Sequence, residues 1–512
     1  MENAVKTTEN WPEIIAGKDA RITELEALVK FYEEQFRLAK HRQFGASSEK
    51  SEYDLSQLTL FNEAEITADE NIPEPEITTV KEHYRKRTRL TKDKLPEDLP
   101  VEEVCYELPE NERICPDCGH GLRVMGHESR EELVLIPATA KIRRHISATY
   151  ACRHCETHSD HVPIVKSEML NPVIKSSFAS PEAVAHIAAQ KFVMGVPLYR
   201  QEQEWKRSGI MLSRQTMSNW LIKATEKWLE PIYEELKRRL VERDVLHADE
   251  TTLQVLREPG KTAQSKSYMW LYRTGGDAEH PIVLYEYQPS RKHEHPEAFL
   301  KNFKGYLHAD GYDGYHALPE NITVVGCWAH LRRKFDEALK IIDKEKREGT
   351  DSLRGKRYCD QLFEIERDLA SLMPEERFEK RQEFSRPVME EFFAWINSLG
   401  ALPKNPLGIA RHYALSQRKY LERYLLDGRL EISNNRAERS IKPFVIGRKN
   451  WLFANTVRGA KASAVIYSLI ETVKENGLNP YEYLARVFRV APNLADGDSM
   501  EMLLPWNLGG RI

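Results

Sequence analysis

Apolar residues recur along this chain in three rhythms, and each marks a different kind of unit. The first is a step of three and four. Ile22, Leu25, Val29, Tyr32, Phe36 and Ala39 line one seam of a helix over residues 18–42. That seam predicts a coiled-coil arm joining copies of the chain, with an amphipathic helix packed on its own chain as the alternative. The second rhythm is a set of capped helices in 175–230. Ser180-Pro181-Glu182 opens a helix running through Phe192, which Gly195 and Pro197 end. Another helix runs from Leu198 to Arg207, and Ser213 caps a third whose apolar residues Met217, Trp220 and Leu221 face inward. The third rhythm is the apolar run that ends on a carboxylate. Val245-Leu246-His247-Ala248-Asp249 and Gly305-Tyr306-Leu307-His308-Ala309-Asp310 both read as buried strands carrying His-Ala-Asp to their ends.

Around these two runs lie further strand patterns. Val245–Val255, Ser267–Tyr272 and Ile282–Tyr287 follow one another, with a polar turn near Pro259-Gly260-Lys261. Tyr306–Ala309 comes next. Asn321–His330 then reads as a strand leading into a helix at Leu331–Lys340. Three antiparallel strands followed by alternating strand and helix is the order of an RNase H-like domain. Helical patterns at about 353–372, 375–398 and 410–426 then predict an all-helical insertion, with Pro403 and Pro406 marking a loop within it.

With 512 residues the chain is too long for one core. The expected fold class is multidomain α/β: an RNase H-like catalytic core with an all-helical insertion, an N-terminal coiled-coil helix, a zinc ribbon and a helix-turn-helix. The expected limits are 1–45 for the arm, 46–100 for a linker, 101–168 for the zinc-binding domain and 175–230 for the helix-turn-helix. The catalytic domain takes 240–345 and 431–490, split by the insertion at 346–430, with a tail at 491–512. No apolar run reaches the length of a membrane span and the start lacks a signal-peptide core, so the expected location is the cytoplasm.

Charge changes the picture because it is segregated. The net charge is only −4, yet residues 49–76 carry nine acidic side chains against Lys50 alone. Lys81, Arg85, Lys86, Arg87, Arg89, Lys92 and Lys94 then reverse the sign. From Lys404 to Glu475 there are fourteen Lys and Arg against six Asp and Glu, as a polyanion site requires. Within that stretch lies Glu438. Asp249, Asp310 and Glu438 together make a hard-oxygen set suited to two Mg²⁺ or Mn²⁺ ions. Against this, Asn435-x-x-Glu438 also has the spacing of a helix capping box.

Of seven cysteines, Cys115, Cys118, Cys152 and Cys155 form two Cys-x-x-Cys pairs, expected to close one structural Zn²⁺ site. His120, His154 or His158 could replace one thiolate. The runs Leu133–Leu135 and Ile142–Tyr150 read as the ribbon's strands. In the helix after Ser213, Arg214, Gln215, Thr216, Ser218 and Asn219 are the kinds of side chain that read base edges.

Taken together, His-Ala-Asp-Glu-Thr at 247–251, Ala-Asp-Gly-Tyr at 309–312, Gly-Cys-Trp-Ala-His-x-Arg-Arg-Lys-Phe at 326–335 and Asn-Asn-x-x-Glu-Arg-x-Ile-Lys-Pro at 434–443 form a specific series. With the zipper-like arm, Phe-Gly-x-Ser-Ser-Glu-Lys at 44–50 and the paired Cys-x-x-Cys, the chain resembles the large transposase of the insertion sequence 66 family, a bacterial DDE transposase. The resemblance implies that Asp249, Asp310 and Glu438 are the DDE triad, cleaving transposon ends and joining the freed 3′-OH to target DNA. It makes Cys327-x-x-His330 similar to a Cys/Asp-x-x-His motif found near insertions in several DDE families, the alternative being a strand-end Cys and a helix-capping His. It also implies double-stranded terminal repeats and target DNA as partners, a homo-oligomer, accessory proteins of the same element, and no membrane. Arg439, Lys442, Arg448 and Lys449 are expected on the DNA backbone, with Trp451 in the core or stacked on a displaced base. Many DDE enzymes carry Lys or Arg seven residues after the Glu; here that residue is Val445. The rival readings are a DNA-binding repressor or structural DNA protein with an inactive core, and a plain nuclease or resolvase that cuts without joining.

Overall fold

A computed structural model describes residues 140–151, 164–400, 403–495 and 499–508. The arm, the linker, Leu133–Leu135 and the cysteines 115, 118, 152 and 155 lie outside the described residues. The elements below all belong to one compact unit. At its start, Thr149–Ala151 pairs antiparallel with Ile164–Lys166. The strand expected over Ile142–Tyr150 therefore begins only at Thr149, and 140–148 are neither helix nor strand.

The helical module forms as its punctuation dictates. Helix α1 (Pro181–Phe192) begins where the Ser180 hydroxyl accepts the Ala183 N–H at 3.1 Å. Gly195 then turns the chain with φ +69°, a conformation that disfavours side chains, and a Cβ there would lie 2.7 Å from the Asn450 side chain. Helix α2 (Leu198–Arg207) follows. Helix α3 (Arg214–Ala224) is capped by the Ser213 hydroxyl on the Thr216 N–H at 3.1 Å. Helix α3 does not stop within the expected 175–230 module but continues through a π turn, Thr225–Leu229, into α4 (Glu230–Leu240). The cause is Pro231, which has no N–H for a regular helical bond and would crowd the carbonyl four residues back. A second π turn, Arg381–Ser385, stands in the same relation to Pro387.

The central sheet comprises β1 (Val245–Arg257), β2 (Lys266–Thr274), β3 (Val283–Gln288), β4 (Gly305–His308) and β5 (Ile322–Val325), in the order β3-β2-β1-β4-β5. The first three are antiparallel; β4 runs parallel to β1 and β5 parallel to β4. A short β6 (Ala454–Thr456) pairs with the far end of β1 at Val255 and Arg257. Helix α5 (Trp328–Lys340) starts three residues earlier than Leu331, which places His330 inside its first turn.

Among the described residues, four α-helices lie between α5 and the segment that carries Glu438: α6 (Asp351–Asp368), α7 (Pro374–Lys380), α8 (Arg386–Ser398) and α9 (Pro406–Leu421). Pro406 opens α9 and is not part of a loop. It occupies the first turn, where its missing N–H costs nothing, and Asn405 caps the Gly408 N–H at 2.5 Å. Helices α6, α8 and α9 share a core with Val245, Val325 and Trp328, separate from the core of the sheet and α1–α4. Helix α10 (Asn435–Trp451) follows, then α11 (Val457–Glu475) and α12 (Pro480–Val490). Helix α11 covers the edge strand β3. Ser468 Oγ accepts the Tyr285 N–H at 2.7 Å, and Thr472 Oγ1 accepts that of Val283 at 3.0 Å, so that edge cannot recruit another strand.

One buried cation binds the four-helix segment together. Arg381, 1% exposed, pairs with Glu366 through two bonds of 2.8 and 2.6 Å. It also donates to the carbonyls of Tyr424, Asp427 and Leu430 at 2.7–3.0 Å. Arg381→Met should leave Glu366 and those carbonyls unpaired and cost about 3–5 kcal/mol. Urea unfolding of the variant against wild type measures this as a lowered midpoint with an unchanged slope.

Candidate active site

The parallel pairing of β1 with β4 sets the first half of the site. His247 lies opposite His308 in the register, so Asp249 and Asp310, each two residues further on, come level just past the paired segment. Neighbouring strands are about 4.8 Å apart. Burial dominates the environment of Asp249 and raises its pKa well above the usual carboxylate range; Glu250, Asp310 and Glu438 push it the same way. Three carboxylates from β1, the end of β4 and the first turn of α10 therefore share one electrostatic environment.

Beneath them the imidazoles of His247 and His308 stack at 4.3 Å between centroids. Both are fully buried and held neutral by desolvation, with the pKa of His247 lowered to about 3. Asn434 anchors the start of α10 to this layer. Its side-chain oxygen meets His247 Nδ1 at 3.0 Å, its amide nitrogen donates to the Ala248 carbonyl at 2.8 Å, and its backbone N–H donates to Cys327 Sγ at 3.2 Å.

Glu438 is not closed onto its helix. A capping box would need its carboxylate on the Asn435 N–H, and among the described residues no such bond is present. Instead Oε1 lies 3.6 Å from His330 Nε2 and Oε2 lies 3.4 Å from Arg333 Nη2. Cys327 and His330, on either side of the α5 start, thus converge on Glu438, with their ligand-type atoms within 4.8 Å of one another. The basic residue beside Glu438 comes from α5, not from seven positions along its own helix.

Sequence reasoning missed a further network. Glu250 is largely buried, receives Arg291 Nε at 2.7 Å and accepts the Tyr315 hydroxyl at 2.7 Å. Arg291 also lies 4.0 Å from Asp310 Oδ2 and sits over the Tyr312 ring at 3.9 Å. Nothing in Ser290-Arg291-Lys292 announces this role.

The remaining candidates are spread more widely. Arg214, Gln215 and Asn219 are exposed on α3, with Thr216 and Ser218 half-exposed, while Met217, Trp220 and Leu221 are buried. Arg439, Lys442 and Lys449 are exposed on α10. Arg448 is half-buried, its guanidinium bound to the Thr252 carbonyl and hydroxyl of β1, which makes it a clamp between α10 and the sheet. Trp451 packs edge-on to Phe192 and tilted against Tyr467, with Lys191 Nζ 4.1 Å over its ring. Gly447 makes room for this packing, since a Cβ there would collide with Trp451 and Tyr467.

The family model described as "Transposase IS66 family" matches residues 176–462, more than half of the chain and all of these site residues. The chain belongs to the IS66 transposase family. Further models of this family match alongside it: "Transposase C of IS166 homeodomain", a leucine-zipper model, over 32–104, a zinc-finger binding domain over 112–156, and an IS66 C-terminal element over 468–506. The zinc-finger match spans all four paired cysteines and supports a bound zinc ion. Among relatives of this IS66 member, the uncharacterized protein y4jD of Sinorhizobium fredii (strain NBRC 101917 / NGR234) is 32% identical over 81% of each chain. The uncharacterized protein y4hP of the same strain is 31% identical over 90% of this chain and 86% of its own. A chain of the Drosophila P element transposase strand transfer complex is also similar, at 12% identity over 64% of this chain and 94% of that one. Its TM-score of 0.22 is too low to bear on fold or function. Among the described residues of this IS66 member, no helix is long and apolar enough to cross a membrane.

The raised pKa of Asp249 has a definite sign. Between the ordinary carboxylate range and the raised value, the folded chain holds a proton that the unfolded chain has lost, so stability falls as pH rises through that window. Asp249→Asn should therefore stabilise the protein in chelator at pH 7 and flatten that pH dependence. Thermal unfolding at pH 5 and pH 7 reads both effects.

Proposed function

We propose that Asp249, Asp310 and Glu438 are the DDE triad of an RNase H-like catalytic core, and that helices α6–α9 are its insertion. The observation that carries this reading is the shared electrostatic environment of three carboxylates on elements far apart in sequence. Membership of a transposase family supports the same conclusion. The strand order β3-β2-β1-β4-β5, with Asp310 just past the C-terminal end of β4 and Asp249 on β1 where its pairing with β4 stops, fits both.

The donor set suits hard divalent cations. Crowded, desolvated carboxylates repel one another, and Mg²⁺ or Mn²⁺ relieves that repulsion while retaining water and phosphate oxygens as further ligands. Asp249, Asp310 and Glu438 would hold two such ions, which lower the pKa of an attacking water and neutralise charge on the leaving oxygen. In the first reaction a water oxygen bonds to phosphorus at the transposon end and the 3′ oxygen leaves. In the second that 3′-OH attacks a target phosphate, and the target's own 3′ oxygen leaves.

The protein's residues supply placement. The His247–His308 layer and Asn434 fix the floor under the carboxylates. Glu250, through Arg291, sets a positive charge beside Asp310. Arg439, Lys442 and Lys449 track the phosphate backbone on the exposed face of α10, and Arg448 acts from within by holding α10 on β1. The polar face of α3 reads base edges of the terminal repeats, because base contacts specify sequence whereas phosphate contacts position. Cys115, Cys118, Cys152 and Cys155 are the zinc ligands, and residues 1–45 join copies of the chain across two ends. The element's accessory proteins act beside it, in the cytoplasm.

Asp249→Asn, Asp310→Asn and Glu438→Gln should each reduce end cleavage and joining to background, with end binding unchanged by gel shift. A repressor or structural protein would bind the ends and cut nothing even as wild type. A nuclease would cut but join nothing. Full strand transfer by Glu438→Gln would remove Glu438 from the triad. Arg214→Ala with Gln215→Ala should reduce discrimination between the ends and unrelated DNA by about tenfold or more, because a side chain paired to a base edge discriminates by about 1–3 kcal/mol. Competition binding at fixed salt measures this.

A further inference from the structure

We propose that Cys327, His330 and Glu438 form a binding site for one thiophilic divalent ion of the Zn²⁺ class, separate from the four-cysteine zinc finger. The site needs only these side chains and does not depend on the chemistry proposed for the triad.

The geometry comes from three directions. Cys327 stands at the end of β5 as the residue before α5, His330 lies in the first turn of α5, and Glu438 lies in the first turn of α10. One sulfur, one ring nitrogen and one carboxylate oxygen all lie within 4.8 Å of one another. Around a tetrahedral zinc, with bonds of about 2.0–2.3 Å, ligand atoms lie about 3.3–3.7 Å apart. The 3.6 Å between His330 Nε2 and Glu438 Oε1 already falls in that range, and small side-chain rotations bring in the sulfur.

Among the described residues, one donor oxygen, Glu438 Oε1, is buried with no hydrogen-bond partner, as is His330 Nδ1, the ring nitrogen opposite the Nε2 that faces Glu438. Buried polar atoms are nearly always paired, and unpaired ones at a convergence of ligand types point to an ion. Burial raises the pKa of the free Cys327 thiol to about 11, and backbone N–H groups at the sulfur work against that rise. The Asn434 N–H already points at Cys327 Sγ at 3.2 Å, and Asn434 is itself fixed by His247 and the Ala248 carbonyl. Such outer hydrogen bonds orient ligands and tune a metal centre.

The set S, N and O leaves a fourth position open, the pattern of zinc sites that take water or a substrate oxygen. The thiol proton leaves to solvent as the ion binds. Sulfur excludes Mg²⁺ and selects softer ions, so the two metal types would divide the region by chemistry. With Oε1 on the thiophilic ion, Oε2 of Glu438 keeps its own direction, shared now with Arg333. The ion would then fix the carboxylate rotamer at the start of α10.

The test uses the full-length chain, stripped of metal and reloaded with Zn²⁺ or with Co²⁺ as a spectroscopic probe. Cys115→Ser with Cys152→Ser removes the zinc-finger contribution. In that background one equivalent should remain, and Co²⁺ should give a thiolate-to-cobalt charge-transfer band with tetrahedral d–d bands. Adding Cys327→Ala or His330→Gln should each lose that equivalent and the band. His330 is partly exposed, so His330→Gln keeps the test informative should Cys327→Ala fail to fold, with circular dichroism as the check. Retention of the full equivalent by folded His330→Gln would overturn the proposal, as would a Co²⁺ spectrum without a thiolate band. Both readouts report metal binding and not catalysis, so an inactive triad leaves them unaffected, and loss of the ion from a folded variant that still transposes leaves the triad reading intact.

Discussion

The parallel pairing of β1 with β4 is the constraint on which the candidate site depends. A strand register is two-sided: a slip of one residue would turn Asp249 and Asp310 to opposite faces and break the His247–His308 stack. The histidines help to hold that register. Both are buried and neutral, and a charge on either would face the other ring and the guanidinium of Arg436. The sheet thus accepts two desolvated imidazoles in its floor, and in return the carboxylates above them are fixed in position. Asn434 extends the arrangement to α10 by bonding to β1 and to Cys327 together.

The antiparallel half of the sheet has a different task. Its strand β2 is buried almost throughout, and β3 would be an open edge without α11. Ser468 and Thr472 do what a further strand would do, meeting backbone groups with hydroxyls. Arg273 joins this side to the site side. It is buried in β2, binds the Ser440 hydroxyl of α10 and pairs with Glu475 of α11 at 2.8 Å. Burial raises the pKa of Glu475 and Arg273 lowers it, the net result being a carboxyl below its ordinary value. One cation on a strand thereby orients both α10 and α11.

Much of this was legible in the sequence where a local rule governs. The ends of α1, α2 and the start of α3 follow from Ser180, Pro197 and Ser213, and the strand pattern from apolar runs between turn residues. The two aspartates could be placed because each closes such a run. What escaped was set by contacts between distant segments. Glu250 reads only as the neighbour of Asp249 on the other face of the strand until Arg291 and Tyr315 arrive from elsewhere to bind it. Glu438 reads equally as a capping residue, because spacing along one helix carries no information about His330 and Arg333 on another. Arg448 counts toward a basic surface in any tally of charge, yet its guanidinium is turned inward onto Thr252. The π turns were missed for a subtler reason: Pro231 and Pro387 signal a break, and the chain instead absorbs each one by widening a single turn.

Helices α6–α9 pose a last physical question, how they can stand between Asp310 and Glu438 without loosening the site. Loop-closure entropy grows only with the logarithm of length, so the length itself is a small burden. Precision requires that entry and exit be tied together, and they are. The Gly326 N–H donates to the Tyr420 carbonyl at 3.0 Å, the Trp328 N–H to the Ile432 carbonyl at 3.1 Å, and the Asn434 N–H to Cys327 Sγ at 3.2 Å. The Trp328 indole adds a bond to the Leu421 carbonyl at 2.9 Å, with its ring against Phe392 and Phe393. The segment leaving β5 and the segment entering α10 thus lie side by side, crosslinked at several successive points. Glu438 is positioned by those crosslinks, one helical turn beyond the last of them, and the helices between can vary in length without moving it.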